Sequence, residues 1–210
     1  MPKPTLIAAV AIAALAAAGV VAAAPPSLTL KAAPTLVAYG QTSTLTGTLS
    51  TGKSGQTVTV EGQECGKTAF SKVATATTGA GGAYSYAAKP SLNTSYRTRS
   101  KNATSPTVVV NVQPALRLRK LATRKFSIQL SAAQSFVGKF VYFQRYTATR
   151  KWRNVRKVTL TSVKAGTAPT QISSAVFRAK VASRVKVRAL LPKPNAAPCY
   201  VAALSNTTRS

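Results

Sequence analysis

From Ser27 onward the chain is a series of short runs rich in Val, Thr and Tyr, each closed by Gly, Pro, Ser or Asn: LTLKA, TSTLTGTLS, QTVTVEG, FSKVATATT, AYSYAAK, SYRTRSK and TVVVNV. β-Branched and aromatic residues in alternation, interrupted by turn formers, specify strands. No helical period of comparable length competes with them. The second half repeats the scheme with ALRLRK, FSIQLSA, GKFVYFQRY, WRNVRKVTL, SAVFRAKV, SRVKVRALL and CYVAALS. A shift of 83 positions lays Gly55-Gln-Thr-Val-Thr-Val onto Gly138-Lys-Phe-Val-Tyr-Phe, and Thr44-Leu-Thr onto Ser127-Ile-Gln. Drift later in the alignment implies loop insertions.

The pattern therefore predicts an all-β chain of two similar domains meeting near Gln113-Pro114. Each has about seven strands, the count and spacing of an immunoglobulin-like β-sandwich. The domains are placed at residues 27–113 and 114–207, after an N-terminal signal helix. The stretch TTGAGGAYSYAAKPSLNTSYR, followed by SPTVVVNV, resembles the last three strands of the bacterial immunoglobulin-like domains found in tandem on secreted and cell-surface proteins. The likeness covers residues 28–113 well and residues 114–205 loosely. It implies a spacer, adhesin or binding module, and it brings no catalytic residues. The turn before the Tyr-x-Tyr strand usually carries an acidic residue in such domains. Here Thr78-Gly79-Ala80-Gly81-Gly82 has none, so no calcium turn is expected.

Composition removes most chemistry. There are 29 Lys and Arg against two acids, Glu61 and Glu64, with no Asp and no His, for a net charge of +27. General acid–base catalysis and hard-cation binding both lack their usual groups. Two Cys without His cannot complete a zinc site. No cofactor, metal, small-molecule substrate or enzymatic activity is expected. The opening MPKPTLIAAVAIAALAAAGVVAAAPPS has a short positive region, an apolar run without charge and small residues after it. That is the form of a secretory signal peptide, residues 1–23, cleaved after Ala23; an uncleaved anchor is the rival reading. A signal peptide implies a secreted or envelope-associated location.

The first half also contains strings that match two catalytic motifs. Gly47, Gly52, Lys53 and Ser54 fit the phosphate-loop pattern, and Ser50 with Lys53 fits a Ser-x-x-Lys dyad, with Ser91-Leu-Asn93 imitating a second motif of penicillin-binding enzymes. A phosphate loop requires a helix after its Lys and an acid for magnesium. Ser54 is instead succeeded by GQTVTVEG, a strand pattern, so the segment is read as a turn between the second and third strands. Glu61 and Glu64, three apart on a strand, face opposite ways, and they are expected to be counter-charges for Lys53, Lys67 or Lys72. Asn93, Asn102 and Asn206 open glycosylation-acceptor triplets of the kind that arise by chance in Ser/Thr-rich chains.

Cys65 and Cys199 fall one in each repeat, so neither domain can make its own bridge. If the strands follow immunoglobulin order, Cys65 lies in the turn after the third strand of domain 1, at the end facing domain 2. Cys199 starts the last strand of domain 2, at the end facing domain 1. An interdomain disulfide, free thiols and an intermolecular bridge all remain open.

The basic residues are the main functional clue. Residues 114–210 hold 20 of the 29 and no acid. Arg184, Lys186 and Arg188 interleave with Val185 and Val187; Arg178 and Lys180 with Phe177 and Ala179; Arg117 and Arg119 with Leu116 and Leu118. Alternation places these cations on an outer face. RYTATRKWRNVRK adds Arg145, Arg150, Lys151, Arg153, Arg156 and Lys157. Tyr146 and Trp152 could stack bases, but a lone Trp in a small sandwich is expected in the core. The first expectation is a non-enzymatic structural or binding module at the cell envelope. The second is a polyanion-binding protein whose second domain grips nucleic acid, anionic wall polymer or anionic lipid. The plain alternative for the cations is a solvated face.

Overall fold

The computed structural model describes residues 24–210; the leader expected at residues 1–23 lies outside the described residues. The first half forms β1 (Lys31–Ala33), β2 (Leu36–Ala38), β3 (Ser43–Thr48), β4 (Thr57–Glu64), β5 (Ser71–Thr77), β6 (Ala83–Ala88), β7 (Thr94–Ser100), β8 (Ala103–Thr104) and β9 (Val108–Gln113). One sheet runs β1-β3-β6 and the other β2-β9-β7-β4-β5, with β8 paired to β7. The second half forms β10 (Ala115–Ala122), β11 (Lys125–Ala132), β12 (Phe140–Tyr146), β13 (Trp152–Thr159), β14 (Ser162–Ala165), β15 (Gln171–Arg178) and β16 (Lys186–Leu191). The short helix α1 (Lys193–Ala196) and the edge pieces β17 (Ala203–Leu204) and β18 (Thr208–Arg209) complete it. Its sheets run β10-β11-β15-β14 and β13-β12-β16-β17, with β18 also on β16. Each half is a two-layer sandwich with immunoglobulin-like strand order.

Period-two alternation builds both cores. On β4, Val58 and Val60 are fully buried, whereas Thr59 and Glu61 look outward. In the second sandwich Phe126, Phe143 and Phe177 form a central aromatic trio with ring centroids 4.9 to 5.8 Å apart. Each such side chain removed from water stabilises the fold by about 1.5–3 kcal/mol. The sequence repeat is visible in the backbone: Gly55 and Gly138, related by the 83-residue shift, both precede the third main strand of their sandwich with φ near +80° (77° and 83°).

Three details depart from the sequence reading. Beyond the first run, LTLKA, a strand outside the expected set follows Pro34, which has no amide to donate; β1 joins one sheet antiparallel to β3, and this added β2 joins the other parallel to β9. β14 is an additional, fully exposed strand. The last run starts late, at Ala203, so Cys199 and Tyr200 lie in the connection after α1 rather than on a strand. The edge pieces β17 and β18 are interrupted at Asn206, whose side chain donates to the Leu118 carbonyl (3.1 Å) and accepts from the Leu118 amide (3.0 Å). It thereby ties this edge to β10 across the sandwich.

The junction is short and cross-linked. Only the buried Pro114 separates β9 from β10. Cys65, in the turn after β4, is bonded to Cys199, with Cα atoms 5.3 Å apart. Around the bridge, the Asn93 amide donates to the Cys199 carbonyl (2.9 Å) and the Val201 amide to the Val112 carbonyl (3.0 Å). The Tyr200 hydroxyl donates to the Ser91 carbonyl of the first sandwich (2.9 Å) and accepts from the Ala133 amide of the second (2.8 Å).

Candidate functional site

The phosphate-loop match is a packing feature. Gly47 lies on β3 where a Cβ would stand 2.0 Å from the Thr29 carbonyl oxygen and 2.4 Å from the Tyr84 hydroxyl. Gly52 and Gly55 take positive φ in the turn before β4. Lys53 is exposed there, its carbonyl accepting from the Thr78 hydroxyl (2.8 Å). Ser50 accepts from the Ser27 amide through its hydroxyl (2.8 Å). Glu61 pairs with Arg97 (2.6 Å) and Arg99 (3.7 Å) on β7, which corrects the assignment to Lys53, Lys67 or Lys72. Glu61 and Arg97 stand directly opposite in the β4–β7 register, where opposite charges on one face pair, and Arg97 is held further by the Phe70 ring, whose centroid is 4.2 Å from its guanidinium. Asn93 and Asn206, which open acceptor triplets, engage their side chains in hydrogen bonds within the chain, the former with Val112 and Pro198 and the latter with Leu118.

The thirteen candidate cations divide among several surfaces. Arg117, Arg119 and Arg178 lie exposed on the outer face of the β10-β11-β15-β14 sheet, in register with Gln129, Ser127 and Lys125 respectively. Lys157, Lys186 and Arg188 belong to the opposite sheet. Arg145 and Arg153 are cross-strand partners near the β12–β13 turn, and Arg150 and Lys151 form that turn. Arg184 lies outside β16 rather than on it, in the preceding turn with φ 61°. Arg156 and Lys180 flank the seam between the sheets together with Arg178. Twelve of the thirteen are exposed; Arg188 is half-buried, and burial lowers its pKa from the usual arginine value.

Trp152 is not in the core. It stands half-exposed on the outer face of β13, 5.1 Å from the Tyr146 ring, with the Arg188 guanidinium 4.0 Å from its ring centroid. Arg188 in turn donates to the Gln144 side chain (2.9 Å), which donates to Asn154 (2.9 Å). Lys157 sits 3.9 Å over Phe140. Such cation–π contacts favour the cation by roughly 0.5–1 kcal/mol at exposed sites.

No family model and no curated protein matches the sequence. Solved structures with similar folds include a marsupial T cell receptor (10% identity, TM-score 0.34, covering 89% of this chain and 100% of that one). Bovine butyrophilin is similar at 12% identity and TM-score 0.33, covering 79% of this chain and 92% of that one. A tetra-tandem repeat from the extending region of a large adhesion protein is similar at 14% identity and TM-score 0.32. The comparison covers 88% of this chain but 48% of that one, so the chain spans about half its length.

One backbone feature of the cations has no mark in the sequence. Among the described residues, four other than glycine have left-handed backbone: Lys101, Arg124, Arg150 and Arg184, with φ between 48° and 61°. All four are cations at turns, where Gly or Asn would be relaxed and an ordinary side chain costs roughly 1–2 kcal/mol. Arg124 carries no local signal, because it comes after the apolar–basic run of β10 without a neighbouring Gly to mark the turn.

Proposed function

We propose that the chain is a non-enzymatic structural and binding module that works outside the cytoplasm, at the cell envelope. The observation that carries this reading is the junction: one connecting residue, a disulfide and hydrogen bonds on both sides of it fix two sandwiches as one body. A rigid pair suits spacing and presentation, and a disulfide fits an oxidising compartment. Among the described residues no helix is long and apolar enough to cross a membrane. Peptide mapping of unreduced protein from the envelope fraction tests the reading. A linked Cys65–Cys199 peptide is expected; recovery of both thiols alkylated sinks it.

A second reading, polyanion binding by the second sandwich, is favoured by the exposure of twelve of the thirteen candidate cations in a half without Asp or Glu. Association with a polyanion releases counterions and weakens steeply with salt. The chain should be retained on DNA, anionic polysaccharide or anionic vesicles and elute over a narrow salt range. The Arg184→Ser/Lys186→Ser/Arg188→Ser variant should elute earlier. Unchanged elution removes the β16 face from the interface.

A further inference from the structure

We propose that the open seam of the second sandwich is an oxyanion-binding groove, and that its ligand is a phosphate or sulfate ester repeated along a glycan or polyol chain. The proposal rests on the polyanion reading and gives it a place. The seam arises because β14 pairs only with Gln171–Ser174, leaving the rest of β15 an unpaired edge beside β13. A groove of about 580 Å³ opens there, lined by Arg124, Val155, Arg156, Arg178, Ala179 and Lys180. Four of these six residues are cations, and residues 114–210 contain no Asp or Glu to neutralise them.

Two further observations mark the groove as built. Arg156 donates one guanidinium N–H to the Arg178 carbonyl (2.5 Å), which holds it across the seam. That bond uses one of five donors, and the guanidinium fork matches an oxyanion in two-point contact. Arg124 is held in left-handed backbone with φ 57°, and its carbonyl accepts from the Ala179 amide (3.0 Å), which extends the β11–β15 pairing and fixes the turn on this wall of the seam. A Gly or Asn there would relax the backbone but remove a cation from the groove.

The lining also selects the ligand class. Among the described residues no aromatic side chain lines the groove; its apolar part is Val155 and Ala179. On the outer sheet face the Trp152 and Phe140 rings already carry Arg188 and Lys157. Binding of single-stranded nucleic acid depends on open aromatic platforms for its bases. A chain whose charges sit on its backbone and which has no bases fits better, and a concave seam fits a linear polymer better than a flat vesicle.

The test measures binding of the folded protein to a sulfated polysaccharide and to a polyol-phosphate polymer, against single-stranded DNA and anionic vesicles matched in charge. Arg124→Gln/Arg156→Gln/Arg178→Gln should bind both polymers about tenfold or more weakly and lower the salt slope by about two to three. Lys139→Gln/Lys164→Gln/Lys193→Gln removes the same charge at exposed positions outside the candidate cations and should retain most of the affinity. On the unmodified protein, bound polymer should protect Arg124, Arg156 and Arg178 from arginine-selective labelling, a readout independent of how the variants fold. Equal losses in the two triple variants, or protection confined to other arginines, overturns the groove. Tighter binding of DNA or vesicles overturns the ligand class. If the unmodified protein binds no polyanion at all, the second reading of function falls first.

Discussion

Gly47 shows how a residue can match a functional motif for a reason unconnected with it. Its hydrogen is all that fits against the Thr29 carbonyl and the Tyr84 hydroxyl that donates to it, a hydroxyl that also bonds that of Thr98 (2.7 Å). Gly47→Ala should therefore destabilise the protein by about 1–3 kcal/mol, the usual range for overpacking, as read by urea unfolding. A variant as stable as the parent would show that the strand has room to give. The buried tyrosines make a second residue-scale prediction. Burial raises the Tyr96 and Tyr200 pKa values from 10.0 to about 12, and that of Tyr84 also upward. Unfolded tyrosines release their protons first, so between these values the folded state holds more protons. The contribution to stability is complete below the unfolded pKa and is lost as pH rises through the folded one, at roughly 1.4 kcal/mol per pH unit for each residue. Tyrosinate absorbance should thus contain a late component that rises together with loss of the β-sheet circular dichroism. Ionisation of every tyrosine by about pH 11 with the sheet signal intact would contradict it.

At the scale of elements, most strands are legible because one face of each is buried and the alternation is written directly into the residues. Whatever depends on pairing is not legible. TSVKAG holds no buried residue, and β14 exists only because β15 offers it an edge. Nothing in CYVAALS marks where pairing with β16 begins. Trp152 departs from its expected core position for a related reason. Opposite the Phe143/Gln144 step the register of β13 slips by one residue between Asn154 and Arg156, so a pattern read straight through WRNVRKVTL assigns the wrong faces to one side of the slip. The candidate site suffers the same limit. Sequence names the cations one by one, yet Arg117 and Arg188 lie on opposite sheets while Arg156 and Arg178, twenty-two positions apart, meet across the seam. The position of Cys65 after β4 can be derived from the strand pattern, whereas the closeness of Cys199 requires the whole junction.

For the whole molecule, the bridge and the charge act against each other. The disulfide closes a separation of 134 residues, worth about 4–5 kcal/mol by loop-closure entropy. A net charge of +27 makes the two halves repel, most strongly at low salt. Reduction, or the Cys65→Ser/Cys199→Ser variant, should lower the thermal midpoint and broaden the small-angle scattering profile as the sandwiches begin to move about Pro114. Added salt should narrow that profile again. Identical midpoints and scattering for oxidised and reduced protein would mean that the hydrogen bonds at Asn93, Tyr200 and Val201 already hold the junction unaided.

The same bridge redraws the chain as a mechanical object. A pull on segments outside it travels along β4 into Cys65, crosses to Cys199 and leaves through β17 and β18. The strands from β5 to β16 hang in a covalent ring that bears no tension, so the seam with its arginines would keep its shape while the flanks took the load.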